Sequence, residues 1–111
     1  MTTRTTRRRT DAPPPLTNIA ADLRAALSTD TGPAWVQRRW APDIDIVLQR
    51  NRDTQRWRLA ATCTNRQAPS PDTLTLLATA FGAPPDDWEI VAKPRGVTIY
   101  QVAQVTWTER L

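Results

Sequence analysis

The sequence contains no histidine, one cysteine and three glycines among its 111 residues. Without histidine, the chain lacks the side chain that most often acts as a base near neutral pH and binds transition metals. A single cysteine, Cys63, excludes an internal disulfide and a cysteine-based zinc site. Three glycines, at positions 32, 82 and 96, are too few for a phosphate-binding loop or a dinucleotide fingerprint. We therefore expect no catalytic residues, no metal and no cofactor.

Two groups of carboxylates remain as candidates for chemistry. Asp43 and Asp45 share one strand face, and Asp86, Asp87 and Glu89 precede a second strand segment. Paired carboxylates can hold Mg²⁺ or transfer protons, but such residues more often form turns and protect strand edges. Because no base or nucleophile accompanies them, we expect that the protein is not an enzyme.

Positive charge is concentrated at the N-terminus. Residues 1–10 contain four arginines and no acidic residue, whereas residues 11–111 contain eleven of each sign, so the first ten residues carry the whole net charge of +4. Residues 1–15 therefore predict a disordered basic arm with a short polyproline spacer, followed by one domain over residues 16–111. Fourteen of the fifteen basic residues are arginine, which suits phosphate recognition, although a GC-rich coding sequence explains the bias more simply.

Residues 44–63 show the strongest pattern, an alternation that predicts a β-hairpin. The apolar side chains fall on one face of each strand: Ile44, Ile46 and Leu48, then Trp57, Leu59, Ala61 and Cys63. A loop over residues 51–54 pairs Leu48 with Trp57 and keeps these side chains together. On the other face we expect a diagonal contact between Asp45 and Arg58.

Two segments have the apolar spacing of a helix. The first is residues 17–28, with Thr17 as its cap. The second is residues 70–82, where Ser70 caps the helix and Gly82 ends it. The buried stripe of this second helix should pack on the Trp57 face of the hairpin, and its members are Leu74, Leu77, Ala78 and Phe81.

Three further strands are predicted around this frame. Residues 34–40 carry Trp35 and Trp40 on opposite faces, unless the strand is bulged. Residues 87–108 form a second hairpin with two possible registers: a three-residue turn pairs Lys93 with Val97, and a two-residue turn pairs Lys93 with Thr98. We favour the second, because it produces the more apolar face.

Together these elements predict an α+β fold. Its antiparallel sheet has four or five strands and both helices on one face, in the order α-(β)-β-β-α-β-β. Over residues 17–82 the order of helix, three strands and helix resembles the double-stranded-RNA-binding fold in arrangement only. That family has a basic start to its second helix, whereas this chain has Ser70, Pro71 and Asp72.

The leading functional hypothesis is nucleic-acid binding by the basic arm and by strand segments in which arginine and tryptophan alternate. The candidate residues are Arg4, Arg7, Arg8, Arg9, Arg38, Arg39, Trp40, Arg50, Arg52, Arg56 and Arg58. The alternative is a protein-interaction or homodimer module that uses the uncovered sheet face, which carries Val47, Tyr100 and Val102.

The sequence also bears on location. It has no apolar run long enough for a membrane span and no secretory signal region. Its lone cysteine is in phase with Trp57 and Leu59, which is typical of a buried thiol in a reducing compartment. We therefore expect a cytoplasmic protein.

Overall fold

The computed structural model describes residues 15–29 and 31–109. Over these residues the chain forms two helices and five strands in the order α-β-β-β-α-β-β, which confirms the predicted α+β class. The predicted disordered arm, apart from Pro15, lies outside the described residues. The elements are α1 (Leu16–Leu27), β1 (Trp35–Ala41), β2 (Ile44–Asn51), β3 (Arg56–Cys63), α2 (Pro71–Phe81), β4 (Glu89–Arg95) and β5 (Thr98–Thr108).

All five strands of the described chain join one antiparallel sheet in the order β1-β2-β3-β5-β4. Strand β5 therefore lies between β3 and β4, and β1 and β4 form the two edges. Both helices cover one face of this sheet, where the apolar side chains of β2, β3 and β5 meet them in one core. The innermost side chains are Ile19, Leu27, Ile46, Leu48, Leu59, Leu77, Phe81 and Val105.

The β2–β3 hairpin forms as predicted, but its register is two residues away from the expected one. Leu48 pairs with Leu59, and Trp57 pairs with Arg50 instead of Leu48. The loop spans residues 52–55 because Asn51 stays in the strand, where its side-chain oxygen accepts hydrogen bonds from the loop amides of Asp53 and Thr54 at 3.0 and 3.2 Å. A shift of two residues leaves every side chain on its predicted face.

The β4–β5 hairpin repeats this outcome. Its turn has two residues, as favoured, but they are Gly96 and Val97, so Lys93 pairs with Tyr100 instead of Thr98. Gly96 has a φ of 60°, which suits the first central position of a type II′ hairpin turn. Here too the shift is two residues, and the predicted apolar face is preserved.

The helices differ in how they begin. Ser70 caps α2 by accepting from the amide of Thr73 at 3.3 Å, and Gly82 ends it at a left-handed φ of 76°, as predicted. The predicted cap Thr17 of α1 is wrong, since the helix already begins at Leu16, directly after Pro15. The Pro15 carbonyl accepts the amides of Asn18 and Ile19 at 3.1 and 3.2 Å, and no side chain caps this end.

For strand β1 the sequence allowed either one exposed tryptophan or a bulge, and the strand has both. A bulge interrupts its pairing with β2 between Arg39 and Ala41, so Trp40 packs partly against the core. Trp35 lies on the opposite face and is 54% exposed. At the other edge, β4 contains Lys93 and Pro94.

The helices do not reach the far end of the β4–β5 hairpin. Ile90 and Ile99 occupy the helix-covered side of the sheet by register, yet about half of each side chain is exposed. The closed core therefore ends near Ala103, which is fully buried.

Candidate functional site

The sheet face opposite the helices is not covered by any other element of the described chain. Strand alternation places five basic side chains on this open face: Arg39, Arg56, Arg58, Lys93 and Arg95. The acidic side chains at open-face strand positions are Asp45 and Glu89, so five basic and two acidic groups give a net charge of +3.

The remaining described residues carry the opposite excess. They hold five basic and seven acidic side chains, a net charge of −2. These groups lie on the helices, in the loops and on the helix-covered side of the strands. The fold therefore separates charge between its two sides, although the sequence after residue 10 is neutral as a whole.

Arg58 lies at the centre of the open face and is held there by neutral partners. Its Nε and Nη2 donate to Gln104 Oε1 at 3.1 and 2.6 Å, and its Nη1 donates to Gln49 Oε1 at 2.9 Å. Gln104 in turn donates from Nε2 to Glu89 at 3.0 Å. These bonds fix the guanidinium without neutralising it, and two of its five N–H groups remain for a ligand. The predicted diagonal contact of Arg58 with Asp45 is wrong.

Asp45 pairs with a different arginine. Arg39 donates from Nε to Asp45 Oδ1 at 2.7 Å and from Nη2 to Oδ2 at 3.3 Å. The hydrogen bond to Asp45, and then the attraction of its charge, raise the pKa of the Arg39 guanidinium. Arg56 has a neutral partner instead, donating to Thr106 Oγ1 at 2.9 Å.

Two shallow depressions lie on the open face, on either side of Arg58. The first, of about 690 Å³, extends to the tip of the β2–β3 hairpin and includes Gln49, Arg56 and Thr106. The second, of about 540 Å³, lies toward the β4–β5 turn. Its apolar lining includes Val47, Ala60, Tyr100 and Val102.

Two aromatic side chains occupy opposite parts of this face. Trp35 is on edge strand β1, opposite Gln49, and most of its side chain is exposed. Tyr100 is half-buried in β5, and the guanidinium of Arg95 lies over its ring at 5.6 Å from the centroid. The open face thus combines cations, aromatic rings and an apolar floor.

Three of the candidate residues from the sequence do not project from the open face, although Arg50 and Arg52 border the first depression at the hairpin tip. Arg50 donates to the carbonyl of Leu27 at 3.0 Å, and Arg52 donates to the carbonyls of Gly32 and Pro33 at 2.8 Å each. These two arginines hold the end of α1 and the following loop against the hairpin. Arg38 is exposed on the helix-covered side of β1, opposite Ile46.

The other candidates divide between the open face and the undescribed arm. Arg39, Arg56 and Arg58 share the open face, with Arg39 and Arg56 at opposite ends of it, whereas the ring of Trp40 is half-buried against the core. The arm residues lie outside the described residues: Arg4, Arg7, Arg8 and Arg9.

Lys93, Arg95 and Tyr100 were not among the nucleic-acid-binding candidates predicted from the sequence, whereas Trp35 was considered beside Trp40 as a residue for stacking on bases. A signal for them was present, because strand alternation assigns each of them to a face. When the charges of all five strands are summed for each face of the sheet, instead of along the sequence, the open face is identified as cationic.

Two other features bear on chemistry. Cys63 is half-buried, and burial followed by the charge of Asp43 raises the pKa of its thiol. In the part of the chain that the structure describes, no cluster of acidic or cysteine side chains could hold a metal ion, and no helix is long and apolar enough to cross a membrane.

Comparisons with protein-family models, with curated proteins and with solved structures find no match to this chain.

Proposed function

We propose that the protein binds nucleic acid, and that the open face of the sheet is its binding surface in the described chain. The single observation that carries this proposal is the segregation of charge, with a net +3 on the open face and −2 on the rest of the described residues. A polyanion is attracted to one side of such a molecule and repelled from the other.

The chemistry of the arginines supports a phosphate ligand. Guanidinium groups contact phosphate through paired N–H donors and keep their charge at any physiological pH. Arg58 is already positioned by Gln49 and Gln104, so little side-chain freedom is lost when a phosphate binds. The basic arm, with four further arginines, adds non-specific attraction to the same class of ligand.

The alternative of a homodimer through the open face receives less support. Face-to-face pairing of two copies brings a net +3 against a net +3, and like charges across an interface oppose association. The apolar residues on this face, among them Val47 and Val102, are bordered by basic groups. A concentration-dependent mass in sedimentation would nevertheless favour the dimer over nucleic-acid binding.

The test is a titration of the full chain with a labelled oligonucleotide over a series of salt concentrations. Each phosphate contact contributes about −0.7 to the slope of log K against log salt for a single strand and about −0.9 for a duplex. Replacing Arg58 with Gln should weaken binding and reduce the slope by about one contact. The matched control is Arg38→Gln, which removes an exposed arginine from the other side of the sheet.

A second variant separates the arm from the sheet. Deletion of residues 1–10 should lower the slope by about 3, the contribution of four arginines, and the remaining binding should still depend on Arg58. Equal effects of the Arg38 and Arg58 replacements would contradict an open-face site. Absence of binding by the full chain at low salt would contradict the proposed function as a whole.

A further inference from the structure

We infer that the open face takes a single strand of nucleic acid, which crosses the sheet diagonally with bases stacked on Trp35 and Tyr100 and its phosphates near Arg58. This inference rests on the proposed function and adds the strandedness of the ligand, its path and its stacking residues.

The apolar content of the face argues for unpaired bases. A duplex keeps its bases stacked inside and offers mainly charged phosphates and sugars to a flat surface. Phosphates laid over Val47, Ala60 and Val102 would lose water without gaining polar partners. The bases of a single strand have free aromatic faces, which pack on apolar floors and on aromatic side chains.

The strand register sets the length of the path. Trp35 pairs with Gln49, Gln49 with Arg58, and Arg58 with Thr106, six residues along β5 from Tyr100. Three steps between strands and six residues along a strand place the two aromatic residues roughly 24 Å apart. A fully stacked strand covers that distance in about seven nucleotides at ~3.4 Å each, and an extended strand in fewer.

Arg58 lies beside this path, two strands from Trp35 and nearer to Trp35 than to Tyr100. It lines both depressions, so a strand that runs through them passes its guanidinium. The amide groups of Gln49 and Gln104 beside it are hydrogen-bond partners for base edges as well as for Arg58. The part of the path nearer Trp35 therefore offers one fixed charge and two amide groups.

At the Tyr100 end, a second planar group joins the ring. The Arg95 guanidinium lies over Tyr100, and bases stack on guanidinium planes as well as on aromatic rings. Lys93 is directly opposite Tyr100 in the register, where an ammonium can contact the phosphate of the stacked nucleotide.

The experiment compares labelled oligothymidine and oligouridine of about twelve nucleotides with a duplex of equal length. The full chain and three variants are titrated: Trp35→Ala, Tyr100→Ala and Ile99→Ala. Ile99 is the control, since it neighbours Tyr100, is about as exposed as Trp35 and lies on the other side of the sheet. Loss of a stacking contact should weaken single-strand binding by about 5- to 150-fold, while Ile99→Ala changes it less than about twofold.

The conservative replacements Trp35→Phe and Tyr100→Phe should keep most of the affinity, because they retain an aromatic ring. Oligomers shorter than about four nucleotides should bind more weakly than those that span both rings. Unfolding midpoints of the variants check that the sheet is intact. Tyr100→Leu, which keeps an apolar side chain but no aromatic ring, provides the readout if Tyr100→Ala does not fold.

The outcomes distinguish the inference from the function on which it rests. The inference is supported if Trp35→Ala and Tyr100→Ala both bind the single strands more weakly than the parent does, and if the parent binds the duplex more weakly than the single strands. Binding that depends on Arg58 but is equally tight for duplex, or unchanged in the aromatic variants, overturns the inference and leaves the proposed function standing. Absence of binding to all three nucleic acids overturns both.

Discussion

The indole rings of Trp57 and Trp107 face each other across strands β3 and β5, with centroids 6.3 Å apart and planes 14° from parallel. The guanidinium of Arg24 lies over the Trp57 ring at 4.7 Å, and that of Arg50 at 5.6 Å. Helix α1 is thus held to the sheet partly by a cation on an aromatic pair.

Removal of this pair should destabilise the protein strongly. Trp57 is 5% exposed, so we expect Trp57→Ala to lower the free energy of unfolding by about 3–5 kcal/mol. Trp35→Ala is the matched control, since that side chain is mostly in water and its loss should change stability by no more than ~0.5 kcal/mol. Urea unfolding measures both; similar losses in the two variants would contradict the burial pattern.

Replacement of Arg52 should mainly lower stability, whereas replacement of Arg58 should mainly lower oligonucleotide affinity. Arg52→Gln removes the donors to the carbonyls of Gly32 and Pro33, and should lower the free energy of unfolding by about 1–3 kcal/mol. Because Arg52 borders the first depression but its guanidinium is held by two carbonyls, the affinity of the folded variant for an oligonucleotide should fall less than that of Arg58→Gln.

Arg58→Gln should have the reverse profile. Its partners Gln49 and Gln104 are half-buried and accessible to water, so the loss of stability should be the smaller one, and the loss of affinity the larger. If Arg52→Gln lowers affinity as much as Arg58→Gln in fully folded protein, then the surface includes the hairpin tip.

The sequence identified the elements and faces of this fold but not the pairing of residues across its hairpins. Both registers differ from expectation by two residues. Because side chains alternate between the two faces of a strand, a shift by two residues leaves each side chain on the same face, and the apolar pattern cannot distinguish the two registers. The deciding details are local backbone features, namely the amide bonds to the Asn51 side chain, the left-handed Gln55 at a φ of 60°, and Gly96 as the first turn residue.

The candidate site was predicted less completely, for a long-range reason. Arg50 and Arg52 lie in the same charged stretch as Arg56 and Arg58, yet carbonyls 19 to 23 residues earlier in the chain accept hydrogen bonds from their guanidinium groups. No local pattern reveals such contacts. The cationic face also depends on the strand order, which brings Lys93 and Arg95 of β4 to the same side as Arg58.

The carboxylate of Asp45 should lower the affinity of the open face for an oligonucleotide. Asp45→Asn removes one of the two acidic groups of the open face and releases the Arg39 guanidinium from an ion pair. The net charge of the face then rises from +3 to +4, so oligonucleotide affinity should increase, and the salt slope should steepen by up to about 0.7.

The control for this variant is Asp22→Asn, which removes an exposed carboxylate from α1 on the helix side. Both variants raise the total charge of the protein equally. A larger gain in affinity for Asp45→Asn would therefore show that the position of the charge on the open face matters, whereas equal gains would indicate that only the total charge matters.

Cys63 should react slowly with alkylating reagents. Because burial and the nearby Asp43 raise the pKa of its thiol, the thiolate fraction at about pH 8 is smaller than in an unfolded chain. Iodoacetamide should therefore modify the folded protein more slowly than the protein in denaturant, and the difference should narrow as the pH rises past the folded pKa. Equal rates at every pH would contradict the burial of this thiol.

Modification of this cysteine should not respond to a ligand on the open face. Its side chain lies on the helix-covered side of β3 and packs against the core, so a bound oligonucleotide should leave the alkylation rate unchanged. Cys63→Ser should bind the oligonucleotide normally, since the thiol has no role in recognition.

The two outer strands of the sheet have a consequence for behaviour at high concentration. The bulge at Arg39 to Ala41 breaks the hydrogen-bonding row of β1, and Pro94 removes an N–H from β4 while Lys93 adds charge beside it. A further strand therefore finds only a short regular edge on β1 and a missing donor on β4. We therefore expect the backbone of these two edges to slow growth into fibres, independently of any ligand on the face between them.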